Sequence, residues 1–266
     1  MKNIADFVAG PWQEFKNGRI VALTGAGISE ESGISTFRGS DGLWAKYNPQ
    51  LFASPEGLLG VLRDEPGKMV GFLDELYSAM LKARPNRAHR AFCELEKQGR
   101  LSSVITQNID NLHQDAGSQN VLELHGNAFR LRCDGCGRLK TLEKEKMAGI
   151  IEELKKTEGR RSGVLKVFSK FFPRCACQGR LRIDVVLFGE LLDSRILDEA
   201  YAELDNCSLM IIAGTSGAVY PAASLPYYAK ERGARLLEIN TSPSSLSVIC
   251  DYQLMGRAGE VLPKLL

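Results

Sequence analysis

Short apolar segments that end in small or polar residues recur along the chain. Such a segment is typical of a buried strand followed by a turn. These segments are Arg19–Gly25, Ser103–Thr106, Val185–Phe188, Leu209–Ala213 and Arg235–Ile239. Helical patterns at Arg87–Gln98 and Pro221–Arg232 lie between some of them. Because strands alternate with helices, the sequence predicts an α/β fold with a parallel sheet covered by helices on both faces.

The residues that follow the predicted strands are small or polar. In open parallel sheets, ligands bind beyond the carboxyl ends of the strands. The segments at those ends are Gly25–Gly27, Gln107–Asp110, Gly214–Ser216 and Asn240–Ser242. Because all four would meet at one edge of the sheet, we expect a single large polar ligand there.

Two stretches interrupt the alternation and predict a second, smaller lobe. Residues 45–86 have a helical pattern, and residues 131–180 carry four cysteines and many charges. We interpret both as insertions into a sheet domain made of residues 1–44, 87–130 and 181–266. The first insertion is predicted to be helical and the second to be a metal-binding module.

The turn Gly25-Ala26-Gly27 has the composition of a phosphate-binding loop. Backbone N–H groups after a strand can hold phosphate oxygens. The turn does not match the dinucleotide fingerprint, because its sixth position is Glu30 rather than Gly or Ala. It does not match a Walker loop either, because no Gly-Lys-Ser/Thr follows it. From these residues alone, a tight strand-to-helix turn is an equally good interpretation.

Charge and hydropathy exclude several classes of protein. The sequence has no apolar stretch of about 18 residues, the length that spans a membrane. Its 34 basic and 32 acidic residues give a net charge of +2, from which nucleic-acid binding is not expected. The N-terminal residues lack the apolar region of an export signal, so we expect a cytoplasmic protein with reduced thiols.

Four of the seven cysteines form two closely spaced pairs, Cys133/Cys136 and Cys175/Cys177. Two such pairs are typical of tetrahedral zinc, and four protein ligands leave no open position for catalysis. We therefore predict one structural Zn²⁺, with four reduced structural cysteines as the alternative. Residues 138–174 hold 11 Lys or Arg and 5 Glu. This basic insert is either a solvated surface or a docking surface for an acidic protein or nucleic acid.

Longer motifs resemble those of the sirtuins, the NAD-dependent protein deacylases. The first is Gly25–Arg38, with the sequence GAGISEESGISTFR. The others follow in the family's order: Thr106–His113, Glu123–Gly126, Val186–Glu190, Gly214–Ser216 and Glu238–Asn240. Together they span most of the chain. The cysteine pairs resemble the long-zinc-insert, class III-like branch of bacteria and archaea.

The resemblance implies a Rossmann-like NAD domain with a smaller lobe that contains the zinc module. It also implies transfer of an acyl group from protein lysine to ADP-ribose, giving nicotinamide, free lysine and O-acyl-ADP-ribose. The expected cofactors are NAD and one zinc ion, and the expected partners are acylated-lysine proteins. Two alternatives on the same scaffold remain: a mono-ADP-ribosyltransferase, and a non-catalytic sensor of NAD or ADP-ribose.

The resemblance also assigns roles to individual residues. His125 is the expected general base, and Asn108 and Asp110 are the other expected catalytic residues. The expected NAD contacts are Gly25, Ala26, Gly27, Ser29, Thr36, Phe37, Arg38, Trp44, Gln107, Asn108, Ile109, Asp110, Gly214, Thr215, Ser216, Asn240, Thr241, Ser242 and Ala258. The expected substrate contacts are Phe37, Leu73, Leu76, Val185, Phe188, Gly189 and Glu190. Ile28–Trp44 is the expected cofactor lid.

The helical insertion indicates which acyl groups are preferred. The long-insert branch often carries a Tyr-x-x-Arg pair that recognises acidic acyl chains, and arginine binds a carboxylate with two hydrogen bonds. This chain has no Tyr-x-x-Arg, and the best-matching register of the helix Gly71–Leu81 places Leu73 and Leu76 at those positions. We therefore predict a preference for acetyl or another neutral acyl group, although Arg63 or Arg84 could still reach the acyl chain.

Overall fold

The computed structural model describes residues 3–36 and 42–266. The chain divides into two compact units. Unit 1 comprises the residues up to Ile34 together with Arg84–Leu124 and Leu192–Leu266. Unit 2 comprises Ser35–Ala83 and His125–Leu191. Each unit has its own sheet.

Two sheets account for the strands of the described residues. The strands are β1 Ile20–Thr24, β2 Leu101–Thr106, β3 Val121–Glu123, β4 Gly126–Cys133, β5 Leu139–Thr141, β6 Leu181–Val185, β7 Leu209–Ala213, β8 Arg235–Asn240 and β9 Tyr252–Met255. In unit 1, a six-stranded sheet has the order β3-β2-β1-β7-β8-β9, and every neighbouring pair is parallel. In unit 2, β4 pairs antiparallel with β5 and β6.

The central strand β1 shows why the chain forms a doubly covered sheet. All five of its residues are buried, as expected for a parallel strand with helices on both faces. Ile20 and Ala22 pack into one apolar cluster, and Val21 and Leu23 pack into the other. Side chains alternate between the faces of a strand, so these two clusters lie on opposite faces of the sheet.

Helices connect the strands in both units. Those of unit 1 are α1 Ile4–Ala9, α6 Arg87–Lys97, α7 Leu112–Ala116, α10 Ser194–Leu204, α11 Leu225–Glu231 and α12 Ala258–Val261. Those of unit 2 are α2 Leu43–Lys46, α3 Pro49–Phe52, α4 Pro55–Asp64, α5 Pro66–Lys82, α8 Lys144–Lys155 and α9 Arg161–Phe171. Short 3₁₀ helices form at Pro11–Phe15, Ala26–Ser32, Ala222–Ser224, Ser247–Ile249 and Leu262–Leu265. We refer to Gly25–Ser32 as the glycine loop.

The predicted α/β fold class is confirmed, but one predicted strand is wrong. In the segment Val185–Phe188, only Val185 belongs to a strand, and that strand is β6 of the antiparallel sheet. The segment then turns at Gly189, which has a φ of 89°. A short apolar segment fits a buried parallel strand and the end of an antiparallel strand equally well, so periodicity cannot separate the two.

The unit boundaries differ from the predicted domain boundaries at four places. Residues 125–130 and 181–191 lie in unit 2 rather than with the six-stranded sheet, because β4 pairs with β6. Residues 35–44 also lie in unit 2, and residues 84–86 lie in unit 1 rather than in the helical insertion. The assignment of a NAD domain, a helical insertion and a zinc module remains a prediction. Among the described residues, no helix is long and apolar enough to cross a membrane.

The carboxyl ends of β1 and β7 approach each other closely at Gly214. The Gly27 N–H donates a hydrogen bond to the Gly214 carbonyl at 2.8 Å. Gly214 has a φ of 62°, and a Cβ atom placed on it would lie 2.3 Å from the Ile28 nitrogen. The glycine loop can take this position only because residue 214 has no side chain.

We predict that Gly214→Ala destabilises the protein by more than about 3 kcal/mol, because it adds a backbone clash to the strain of a left-handed residue. Gly233→Ala is the matched control. Gly233 has a φ of 91°, and no described atom lies within 4 Å of its added Cβ. We expect that control to lose only about 1–2 kcal/mol. Urea unfolding measures both values, and equal losses would contradict the prediction.

Candidate functional site

Three buried polar side chains form a hydrogen-bonded set at the carboxyl edge of the six-stranded sheet. The Ser29 hydroxyl, in the glycine loop, donates to Asp110 Oδ2 at 2.6 Å. Asn108 Nδ2 donates to Ser29 Oγ at 3.0 Å. Asp110 Oδ1 accepts the N–H of Leu112, the first residue of α7, at 2.9 Å. The structure therefore brings together three of the predicted NAD contacts, two of which are also predicted catalytic residues, all in unit 1.

A pair of buried threonines at the strand ends, one of which bonds to the backbone of Asn108, supports the Ser29–Asn108–Asp110 set. Thr24 and Thr106 end two adjacent strands, and the Thr24 hydroxyl donates to Thr106 Oγ1 at 2.9 Å. Thr106 Oγ1 also accepts the Asn108 N–H at 3.1 Å. His113 Nε2 lies 3.1 Å from Thr24 Oγ1. These bonds fix the direction in which the chain leaves β2, and so the positions of Asn108 and Asp110.

His89 and His113, the two histidines other than His125, are buried in unit 1 and remain neutral. Burial lowers the pKa of His113 well below its ordinary value, and the neighbouring His89 lowers it further. Burial lowers the pKa of His89 to about 4. Their rings meet edge to face, with centroids 4.8 Å apart. Neutral rings held in this way suit a structural role.

Thr215, in the loop after β7, is bonded to the loop after β2 and to the last residue of β8. Gln107 Nε2 donates to Thr215 Oγ1 at 2.9 Å, and Asn240 Nδ2 donates to the Thr215 carbonyl at 2.9 Å. Ser216, Thr241 and Ser242 are exposed beside these loops. The four polar segments that the sequence assigned to one sheet edge therefore do lie at the ends of adjacent strands.

The remaining predicted NAD contacts are distributed over both units. Ala258 begins α12 in unit 1, and its neighbour Gly259 donates its N–H to Glu31 Oε2 of the glycine loop at 2.7 Å. Thr36 and Trp44 lie in unit 2. Phe37 and Arg38 lie outside the described residues, as does part of the predicted lid.

The structure also shows a buried acid that the sequence analysis did not assign to the site. Glu238, in β8, is fully buried, and its two carboxylate oxygens accept hydrogen bonds from the hydroxyls of Ser244 and Ser247. These bonds hold the segment that follows Asn240. A glutamate within the apolar segment Arg235–Ile239 was the available signal, because a buried carboxylate needs hydrogen-bond partners.

His125 lies in unit 2, immediately before β4. Its carbonyl accepts the Val186 N–H at 3.0 Å, and Gly126 follows with a φ of 76°. The side chain is only partly buried. Among the three histidines, it is therefore the one that is not enclosed in the core of unit 1.

The predicted substrate segment follows β6 in the same unit. The Phe188 N–H donates to the Ala53 carbonyl at 2.7 Å, and Glu190 Oε2 accepts the Leu187 N–H at 2.9 Å. The Phe188 side chain is 47% exposed, and its ring lies 6.4 Å from that of Trp44. One backbone bond and one bond to the Glu190 carboxylate thus hold this segment, while an aromatic side chain remains available for contact.

Leu73 and Leu76 belong to an apolar cluster in unit 2. Both pack, partly buried, against side chains from α2 to α5: Leu43, Phe52, Val61, Met69 and Phe72. Arg63, one of the two arginines that could have reached an acyl chain, donates two hydrogen bonds to Asp64, at 2.7 and 2.8 Å. The surroundings of Leu73 and Leu76 therefore suit an apolar group.

The four predicted zinc ligands converge at one point in unit 2. Their sulfur atoms all lie within 4.8 Å of one another. Cys133 Sγ is 3.4 Å from Cys177 Sγ, and Cys136 Sγ is 3.8 Å from Cys175 Sγ. Tetrahedral zinc with Zn–S bonds of about 2.3 Å requires sulfurs about 3.8 Å apart. These residues therefore fit one Zn²⁺, and the separations are too long for disulfides of about 2.05 Å.

The backbone at the cluster favours the thiolate of Cys133. The N–H groups of Cys136 and Gly135 lower the pKa of Cys133 to about 7. The Gly179 N–H likewise lowers the pKa of Cys177, but hydrogen bonds with the neighbouring sulfurs outweigh it and raise that pKa to about 11. Zinc binds the thiolate rather than the thiol. Because all four positions around the metal would be occupied by protein, a zinc ion here would stabilise the fold rather than activate water.

Comparisons with known proteins agree with these features. The Sir2 family model matches residues 25–221. A relative named NAD-dependent protein deacylase, from Pyrococcus furiosus, is 44% identical to this chain. The match covers 94% of this chain and 92% of the relative's length.

Two solved structures are similar over most of their length. A mutant Sir2 homologue in complex with 2′-O-acetyl ADP-ribose has a TM-score of 0.78 and 39% identity, and the match covers 96% of this chain and 93% of that one. A Sir2–p53 peptide–NAD⁺ complex has a TM-score of 0.73 and 33% identity, and the match covers 96% of each chain.

We predict that Cys133→Ser or Cys177→Ser abolishes zinc binding and unfolds the metal-binding region of unit 2. In closed thiolate sites the free energy of metal binding is part of the free energy of folding. Zinc content by mass spectrometry and thermal melting measure both effects. Cys250→Ser, outside the cluster, is the control and should retain its zinc. A cluster variant that lacks zinc yet keeps its full melting temperature and activity would contradict the prediction.

Proposed function

Because the chain belongs to the Sir2 family, we propose that it is an NAD-dependent protein-lysine deacylase. It transfers an acyl group from lysine to ADP-ribose and releases nicotinamide and free lysine. The observation that carries the proposal is the extent of the family match. Residues 25–221 include the glycine loop, the buried Ser29–Asn108–Asp110 set, His125 and the four cysteines.

The loops at the carboxyl edge of unit 1 are the proposed NAD site. The glycine loop would present backbone N–H groups to the phosphates, and Gly214, Thr215 and Ser216 would lie beside them. Asn108 and Asp110 would orient the nicotinamide ribose. Their buried hydrogen bonds with Ser29 support this role, because such bonds fix both side chains before any ligand binds.

His125 is the proposed general base. NAD supplies an electrophilic ribose carbon and a nicotinamide leaving group. The His125 imidazole would accept the proton of a ribose hydroxyl, which makes that oxygen a better nucleophile toward the acyl carbon. Imidazole suits this task, because it exchanges protons near neutral pH.

Unit 2 supplies the proposed peptide site. Phe188, Gly189 and Glu190 would pair with the substrate backbone as an added strand. The complex of a similar protein with a p53 peptide supports a peptide substrate for this chain. The acyl-lysine side chain would then contact the apolar cluster around Leu73 and Leu76.

A direct test is incubation with NAD and an acyl-lysine peptide, followed by mass spectrometry. Nicotinamide, free lysine and O-acyl-ADP-ribose in equal amounts are the expected products. ADP-ribose attached to protein would indicate the transferase instead, and NAD binding without turnover would indicate the sensor. The basic insert remains either a solvated surface or a docking surface.

We predict that His125→Ala retains NAD binding but lowers the deacylation rate by a factor of about 10² or more, which is typical for the loss of a general base. NAD affinity by calorimetry and the melting temperature serve as internal controls. His89 and His113 are buried and would change stability when replaced, so they offer no matched variant. Normal turnover by His125→Ala would remove this residue from the mechanism.

We also predict that neutral acyl groups are preferred to succinyl and malonyl. A carboxylate among leucines would be buried without a partner, which costs several kcal/mol. A neutral chain gains about 0.8 kcal/mol for each buried CH₂. The measurement is kcat/KM on one peptide that carries acetyl-, butyryl-, myristoyl- or succinyl-lysine.

A double variant, Leu73→Tyr with Leu76→Arg, should raise the succinyl-to-acetyl ratio. Leu59→Arg is the control for added charge, because the Leu59 side chain is 68% exposed on α4. A higher kcat/KM for succinyl than for every neutral group in the unmodified protein would overturn the prediction.

A further inference from the structure

One asparagine joins the start of a helix to the glycine loop. Asn86 is the N-cap of α6, and its Oδ1 accepts the Ala88 N–H at 2.9 Å and the His89 N–H at 3.4 Å. Its Nδ2 donates to the Ile28 carbonyl at 2.7 Å and to Ser32 Oγ at 3.0 Å. A single carboxamide thus bonds to the helix through its oxygen and to the loop through its nitrogen.

Capping alone does not require asparagine at this position. Asp, Ser and Thr cap helices about as well, because each provides an acceptor oxygen. The cap is also reinforced by His89, whose Nδ1 accepts the Asn86 N–H at 3.3 Å. Of these residues, only Asn combines the acceptor with a two-proton donor on the same short side chain. The extra function of Asn86 is therefore to donate to the glycine loop.

The two residues that Asn86 binds lie on either side of the site residue Ser29. Ile28 is fully buried and precedes Ser29 directly, while Ser32 ends the 3₁₀ helix. Gly214 holds the other end of the loop through the Gly27 N–H. Bonds at both ends thus fix the position from which the Ser29 hydroxyl reaches Asp110.

We propose that Asn86 is a positioning residue for NAD binding, which acts by holding the glycine loop through its side-chain nitrogen. The proposal rests on the proposed function, in which this loop binds the phosphates of NAD. Without the Nδ2 donor, the Ile28 carbonyl would lose a buried hydrogen bond, and the loop would have to shift toward another partner. Binding would then require the loop to be restored, which lowers the affinity.

The test variant is Asn86→Asp, which has nearly the same shape and keeps the capping oxygen. It replaces the donor by a second acceptor facing the Ile28 carbonyl. We expect a dissociation constant for NAD about tenfold higher or more. KM for NAD should rise more than kcat falls, and the protein should remain folded at the assay temperature, because the cap remains. A role limited to helix capping would leave NAD affinity unchanged.

Asn3→Asp is the matched control. Asn3 is the N-cap of α1, where its side chain accepts the Ala5 N–H at 3.1 Å. The substitution adds the same charge at a helix cap outside the proposed site, so NAD affinity should not change.

The outcomes separate the two proposals. If the unmodified protein binds no NAD, the proposed function fails. If it binds NAD and Asn86→Asp binds within twofold of it, only the role of Asn86 is overturned. If Asn86→Asp is unfolded at the assay temperature, Asn86→Ser decides, because it keeps a capping oxygen and places no carboxylate against Ile28. Weaker NAD binding by a folded Asn86→Ser supports the proposal, and unchanged binding overturns it.

Discussion

The close approach of two strand ends determines the arrangement of the rest of the site. A Cβ atom on Gly25 would lie 2.8 Å from the Thr215 side chain, and one on Gly27 would lie 2.9 Å from the backbone of Gly214. Since real Cβ atoms avoid such distances, the loops after β1 and β7 can approach this closely only because residues 25 and 27 have no side chains. That contact places Ser29 over the carboxyl end of β2, where it reaches Asp110 at 2.6 Å.

The polar groups beneath this contact are organised before any ligand arrives. An unpaired buried polar group costs about 1–3 kcal/mol, so each side chain in such a set needs partners in the folded chain. Ser29 obtains two from Asn108 and Asp110, and Thr106 obtains two from Thr24 and Asn108. Orienting these groups for a cofactor therefore belongs to the folding of unit 1 rather than to binding.

Local patterns in the sequence accounted for the sheet edge and the four-cysteine cluster, because both depend on spacing along the chain. The small residues after each strand and the paired cysteines are visible without a structure. The second role of Asn86 cannot be seen in the sequence, since its nitrogen bonds to Ile28 and Ser32, which lie 58 and 54 positions earlier in the chain. Glu31 likewise bonds to a residue 228 positions away. The wrong strand prediction at Val185–Phe188 also arises from contacts between residues far apart in the sequence, because the pairing of β6 with β4 determines to which sheet this segment belongs.

The buried histidines link the two loops of the proposed NAD site. Asn86 bonds to the glycine loop and to His89, and the His89 ring packs on that of His113. His113 in turn contacts Thr24, whose hydroxyl bonds to Thr106 below Asn108. Both rings are neutral because burial lowers their pKa values, so this connection places no charge under the site. A displacement of α6 would therefore move both Ser29, through the glycine loop, and Asn108, through the histidines and threonines.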